Sequence, residues 1–146
     1  MSQRACVIDT SVTVKWFLKE PFELQVLKVR KDFAQGNLRL LAPDMIYSEF
    51  GNTIWKQVVF HGLDPALGEK MILAFCSVPI EIIPAKSLIP SAFELAVRQK
   101  QSLYDCLFLA LSQATNSILL TADETFYRKL CSSFPKLTWL GNWPIH

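Results

Sequence analysis

The sequence predicts an α/β fold: a three-layer α/β/α sandwich around a mainly parallel central sheet of four to five strands. Three observations lead there. Short apolar runs alternate with helix-period segments along the whole chain. Gly and Pro occur singly, at places that read as element boundaries, and no hairpin turn joins the apolar runs. Strands joined only through helices need right-handed crossovers, and such a sheet is parallel and covered on both faces.

Arg4 to Asp9 reads as the first strand, and Ser11 to Lys19 as a short helix carrying Val12, Val14, Trp16, Phe17 and Leu18. Pro21 suits the first turn of the next helix, and Glu23 suits the positive end of its dipole. Leu24, Leu27 and Phe33 lie along that helix, which Gly36-Asn37 closes. Leu38 to Ala42 is a second strand, ended by Pro43 ahead of a helix from about Asp44 to Phe60. Ile46, Phe50, Ile54 and Val58 recur every four residues on it as a buried stripe, with Glu49 beside the stripe in the second turn. A helix over Pro65 to Cys76 and a buried strand over Ile80 to Ile83 follow. Ser87 to Lys100 reads as helix, with Pro90 in its first turn, and Ser102 to Ala114 as another. Ile118 to Thr121 is a strand running into Ala122-Asp123, Glu124 to Leu130 a helix, and Leu137 to Leu140 the last strand.

With 146 residues, half of them apolar, the chain is expected to form a single domain over residues 1–146 with a core that needs no staples. Fifteen basic and 13 acidic residues nearly cancel, so a net charge of +2 is no nucleic-acid signature in itself. Cys6, Cys76, Cys106 and Cys131 are far apart with no C-x-x-C, which argues against zinc or redox motifs and for buried free thiols. His61 and His146 are too few and too peripheral for histidine catalysis. No signal peptide precedes the first strand, and no apolar run is long enough to span a bilayer, so a cytoplasmic protein is expected.

Four acids carry the chemistry. Asp9, Glu49, Asp105 and Asp123 each stand where an apolar run meets a helix signal. A carboxylate beside buried segments must be desolvated unless a cation or several hydrogen bonds accompany it. Asp9 and Asp123 both fall at carboxyl ends of strands, the edge where open parallel sheets bind ligands. Carboxylates suit Mg²⁺ and Mn²⁺, hard ions that prefer oxygen ligands and keep water.

Asp9-Thr10-Ser11, Tyr47-Ser48-Glu49, Tyr104-Asp105-Cys106-Leu107-Phe108-Leu109-Ala110-Leu111 and Thr121-Ala122-Asp123 follow one another at spacings that resemble the PIN-domain ribonucleases. The similarity is greatest to VapC-type toxins of toxin-antitoxin pairs and runs from the first strand to the last. By this resemblance Asp9 matches the first-strand acid, Glu49 the acid of the central helix, Asp105 the helix-start acid and Asp123 the fourth-strand acid. Ser11 matches the hydroxyl of a D-x-S motif, and Thr121 the hydroxyl two residues before the last acid. Just before the Glu the family often has a different small polar residue from the Ser48 found here. The resemblance implies a metal-dependent endoribonuclease leaving 5′-phosphate and 3′-hydroxyl ends, with RNA as substrate. It also implies Mg²⁺ or Mn²⁺ as cofactor, a small antitoxin protein as partner, and a homodimer. In two-metal cleavage, ions about 3.5 to 4 Å apart clamp the attacking and leaving oxygens. Asp9 would anchor the first ion, Glu49 and Asp105 would complete its shell, and Asp123 would hold a second ion or its waters.

Each acid also has a plainer reading. Asp9, Asp105 and Asp123 can cap the helices that follow them, Glu49 can be a solvated helix residue, and Ser11 can be an N-cap. Asp44 reads as an acid at a helix N-terminus and not as a ligand. Arg4, Lys15, Lys19, Lys56 and Arg128 are candidates for phosphate contacts at the rim or for ordinary surface. Trp139-Leu140-Gly141-Asn142-Trp143, extended by Phe17, Phe22 and Phe60, is the apolar patch expected to meet a partner. A competing function is a catalytically weak or inactive PIN-like module that binds RNA or a protein. A phosphoryl-transfer aspartate enzyme is disfavoured, because position 11 is Ser11 and the D-x-D arrangement is missing.

Overall fold

The computed structural model describes residues 3–18 and 22–144. Pro21, expected to open a helix, Lys19, weighed as a rim cation, and His146 lie outside the described residues. Among the described residues five strands form: β1 (Arg4–Ile8), β2 (Leu38–Pro43), β3 (Glu81–Ile83), β4 (Ile118–Thr121) and β5 (Leu137–Trp139). Seven α-helices accompany them: α1 (Thr10–Thr13), α2 (Glu23–Ala34), α3 (Ile46–His61), α4 (Pro65–Cys76), α5 (Ala85–Gln99), α6 (Leu103–Thr115) and α7 (Glu124–Leu130).

The sheet order is β3-β2-β1-β4-β5, and every pairing is parallel, as strands separated by helices require. The chain steps from β1 through β2 to β3 at one edge, then returns past the centre to β4 and on to β5. That reversal creates a switch point between β1 and β4, where the carboxyl ends of the two strands open a crevice.

Burial follows from this layering. Cys6, Val7 and Ile8 point alternately to the two faces of β1, yet all three are fully buried, so helices cover both sides. The helix α6 crosses β1, β2 and β4 and carries α5 on its outer side. It therefore buries every residue from Cys106 to Ser112, with no polar face. The position of α3 is fixed by aromatic contacts. Phe50 stacks on Phe75 of α4 with ring centroids 4.2 Å apart, and Phe17 meets Phe50 edge-on at 5.4 Å. Gly68 lets the two helices approach, since a Cβ there would lie 3.1 Å from Val58 and 3.2 Å from Ile54.

Five expectations need correction. The helix expected over Ser11 to Lys19 is a single α-turn, Thr10–Thr13, followed by a 3-10 turn over Val14–Trp16. Three β-branched residues in a row lose rotamer freedom in a helix, and the Thr13 hydroxyl donates back to the Thr10 carbonyl at 3.1 Å. The helix expected from Ser87 begins at Ala85, so Pro90 lies in its second turn. A long-range cap extends it, because the Ala85 N–H donates to the Asp44 carboxylate at 3.1 Å. Asp44 is thus an N-terminal acid of α5, not of the helix that follows it in sequence. Glu49 stands in the first turn of α3 and not the second, since that helix starts at Ile46. Of the thiols, Cys6 and Cys106 are buried, Cys131 is half-buried and Cys76 is exposed at the end of α4.

Candidate functional site

The β1–β4 register pairs Ile8 with Leu120, and the Asp9 N–H donates to the Leu120 carbonyl at 3.0 Å. Asp9 and Asp123 therefore leave adjacent strands at the switch point. Glu49 reaches the same place from α3 and Asp105 from the first turn of α6. All four acids line one open cleft of about 310 Å³, together with Thr10, Ser11, Val14, Asn52, Thr53 and Lys56.

Two hydroxyls clamp Asp9. Ser11 donates to its Oδ2 at 2.9 Å and Thr121 donates to the same oxygen at 2.8 Å. Each hydroxyl has one proton, so both are committed to Asp9, and the 3.4 Å approach of Ser11 Oγ to Thr121 Oγ1 is a contact without a proton to share. The lone pairs of the same hydroxyls accept backbone protons. The Ala122 N–H donates to Ser11 at 2.9 Å and the Asp123 N–H donates to Thr121 at 3.1 Å. Ser11 and Thr121 thus tie the end of β1 to the loop after β4 and orient one acid while shaping the backbone of another. Among the described residues no side chain donates to Asp9 Oδ1. Glu49 has a guide of its own, the Thr10 hydroxyl, which donates to its Oε1 at 2.7 Å.

The capping readings divide. Asp9 holds the N-cap position of α1 but makes no side-chain cap bond. Asp105 does not cap α6; Ser102 does, its hydroxyl accepting the Asp105 N–H at 3.1 Å. Asp123 does cap α7, accepting the Phe126 N–H at 3.0 Å through Oδ1, while it also lines the cleft.

Burial pushes the Asp9 carboxyl up to about 6, against the pull of the Thr121 and Ser11 hydroxyls and with a further push from the Asp105 charge. Glu49 is raised by burial first, offset by the Thr10 hydrogen bond and reinforced by Asp9 and Asp105. Asp105 is raised by burial, eased by the Ser102 hydroxyl beside its carboxyl and raised again by Asp123. Among the described residues none of the four is ion-paired. Such a group favours arrival of positive charge.

Among the described residues no three Asp, Glu, His or Cys side chains are arranged as a ready-made cage for a metal ion. The donor chemistry nonetheless fits a hard divalent ion: oxygen ligands only, mutually repelling, open to water on one side. Mg²⁺ binds through one or two carboxylates and keeps several waters, so it needs no closed all-protein cage.

Thr10, Asn52 and Thr53 were not singled out in the sequence. For Asn52 the signal was available, since it follows Glu49 by three residues and shares the helix face of Glu49 and Lys56. Of the basic residues weighed for the rim within the described residues, Lys56 alone lines the cleft. Arg4 lies over the Trp143 ring at 5.4 Å, Arg128 pairs with Glu124, and Lys15 lines a different hollow beside α2. The patch expected at Trp139 to Trp143 is largely interior. Trp143 is buried and its indole N–H donates to Asp32 at 3.3 Å, and Phe22 meets Trp139 edge-on at 5.2 Å. The large apolar side chains that remain exposed lie elsewhere, among them Trp55, Phe60 and Leu73 on α3 and α4, and Phe93 and Val97 on α5.

The family model for the PIN domain matches residues 6–129, from β1 through α7 and including all four acids. The chain belongs to the PIN-domain family. None of the curated proteins matches it. Among solved structures this PIN domain is similar to PAE2754 from Pyrobaculum aerophilum, at 16% identity and a TM-score of 0.68, over 96% of this chain and 93% of that one. It is also similar to a chain of VapBC2 from Rickettsia felis, solved bound to a DNA fragment from their promoter, at 16% identity and a TM-score of 0.62, over 92% of this chain and 96% of that one. At those identities the likeness concerns the fold, a five-stranded parallel sheet between helices.

Proposed function

We propose that this PIN domain is a divalent-metal-dependent endoribonuclease, the toxin of a VapBC-type toxin-antitoxin pair, with residues 1–146 acting as one domain. The observation that carries the reading is the convergence of Asp9, Glu49, Asp105 and Asp123, from four separate elements, on one cleft at the switch point. Those four residues would hold Mg²⁺ or Mn²⁺. Bound there, the ion would supply Lewis acidity toward a phosphodiester and its attacking water.

The chain's own contribution is positioning. Ser11 and Thr121 fix Asp9 through Oδ2 and leave its other oxygen turned from the clamp. Thr10 sets the rotation of Glu49. The hydroxyl pair also holds the Ala122 and Asp123 amides, so the last acid keeps its place relative to the first. Clustered carboxylates that resist ionising without a cation are preorganised to bind one.

An antitoxin partner is supported by the likeness to a chain of the VapBC2 complex and by the apolar side chains left exposed on α3, α4 and α5. A homodimer fits the same surfaces and predicts a mass near twice 16.6 kDa by sedimentation. The toxin reading places its action in the cytoplasm, and no helix among the described residues is long and apolar enough to cross a membrane.

The test is incubation with structured RNAs in Mg²⁺, in Mn²⁺ and in chelator, beside Asp9→Asn and Asp105→Asn. Cleavage in either metal, absent in chelator and lost in both variants, is expected. Equal cutting by the variants would remove the assignment. RNA binding with no cleavage in any condition would favour a module that binds without cutting.

A further inference from the structure

Any RNA drawn to this cleft meets an electrostatic obstacle. A nucleic acid is a polyanion, and the cleft is lined by four acids. A divalent ion neutralises only the phosphate it touches, so the phosphates on either side need another source of positive charge.

The helix α3 offers one. Glu49, Asn52 and Lys56 are spaced three and four residues apart, which places them along one side of the helix, and all three line the cleft. The buried stripe of the same helix, Ile46, Phe50 and Ile54, lies on an adjacent face and packs inward. The backbone that carries the polar stripe is therefore fixed by that packing. With a rise of about 1.5 Å per residue, Lys56 stands roughly 10 Å beyond Glu49 along the helix axis. That offset along the helix suits a phosphate further along the same strand than the one bound at the acids.

Lys56 is exposed and forms no ion pair among the described residues, although four carboxylates border the same cleft. A lysine placed to neutralise those acids would pair with one of them. Among the described residues that line the cleft it is the one cation. Asn52, also exposed, adds an amide donor between the acids and the ammonium.

We propose that Asn52 and Lys56 form a phosphate-binding rail on α3, which holds a single RNA strand on one side of the scissile position and makes Lys56 a substrate-positioning residue. The proposal rests on the nuclease reading of the cleft. It adds a direction to it, with the bound strand running outward along α3 toward its C-terminal half. The contacts are to backbone phosphates, so they discriminate strand length and not base sequence.

The test measures binding apart from cleavage. A fluorescein-labelled single-stranded RNA dodecamer is titrated by anisotropy with Asp9→Asn protein in magnesium, from about 50 to 300 mM KCl, with and without Lys56→Ala or Lys56→Arg. Loss of one phosphate contact should weaken binding severalfold at the low-salt end. It should also make the slope of log K against log salt shallower by about 0.7, alike for different sequences, while Lys56→Arg keeps both values. Asn52→Ala should weaken binding with little change of slope. In the cleavage-competent protein, the loss caused by Lys56→Ala should fall on KM for a long RNA and vanish for a dinucleotide. An unchanged slope in Lys56→Ala, or no RNA binding at any salt, would overturn the rail. Cleavage with an unchanged slope leaves the nuclease standing without the rail. A changed slope without cleavage in any metal leaves the rail standing and removes the nuclease.

Discussion

Replacing Asp9 by asparagine should stabilise the metal-free protein at neutral pH, although it removes the central acid of the site. Burial raises the Asp9 carboxyl from 3.8 to about 6. The folded state therefore holds this proton more tightly than the unfolded chain does. The resulting stabilisation is full below pH 3.8 and is lost as pH rises through about 6. Roughly two pH units at about 1.4 kcal/mol each make the difference about 3 kcal/mol. Asparagine carries no charge, and its carbonyl oxygen can take the place of Oδ2 and accept both the Ser11 and Thr121 protons, so the clamp survives. For a domain of this size about 3 kcal/mol corresponds to about 6 to 12 °C in Tm, an upper bound because the unfolded chain is not fully solvated. The assay is thermal unfolding by circular dichroism in chelator at pH 7.5 and at pH 4. Asp9→Asn should melt higher than the parent at pH 7.5 and close to it at pH 4. A variant that melts lower at pH 7.5, or one whose advantage is the same at both pH values, would refute the idea that ionising the half-buried Asp9 carboxyl costs stability at this site.

Other outcomes follow from the same contacts. Ser11→Ala removes a donor to Asp9 and leaves the Ala122 amide without its acceptor, which should cost about 1 to 3 kcal/mol in denaturant unfolding. Thr10→Val keeps the shape but frees Glu49, so it should lower cleavage far more than stability, as read by comparing kcat/KM with Tm. Adding Mg²⁺ or Mn²⁺ should raise the parent's Tm with concentration, by about 2.7 kcal/mol at a hundredfold excess over Kd, and Asp9→Asn should blunt the rise. Gly141→Ala should destabilise by about 1 to 3 kcal/mol, since its Cβ would come 2.5 Å from the Trp139 ring, which Phe22 and Tyr127 flank.

The sequence was most legible where the determinants are local. Pro65 to Cys76 and Ile118 to Thr121 came out residue for residue, because Asp64 caps α4 ahead of a first-turn proline and β4 is an unbroken apolar run. The acids were visible for the same reason: each follows a strand or opens a helix, and a parallel sheet brings its strand ends to one edge. What escaped depends on partners distant in the chain. The Thr10 hydroxyl meets Glu49 across 39 residues, the Asp44 carboxylate starts a helix 41 residues away, and the Trp143 indole finds Asp32 across 111. The last of these turned an expected surface patch into interior, since an aromatic cluster reads alike on either side of the boundary until its hydrogen-bond acceptor is known. The double role of Asp123, cap and cleft acid at once, was likewise visible only as two competing readings.

The central claim is that Asp9, Glu49, Asp105 and Asp123 act together as one divalent-metal site. Its most direct test is Mn²⁺ binding followed by electron paramagnetic resonance, for the parent and for Asp9→Asn, Glu49→Gln, Asp105→Asn and Asp123→Asn. Saturable binding that weakens tenfold or more on loss of Asp9, Glu49 or Asp105, and less on loss of Asp123, is the result this account predicts. Equal Mn²⁺ affinity in all five proteins, or no saturable binding by the parent, would contradict it.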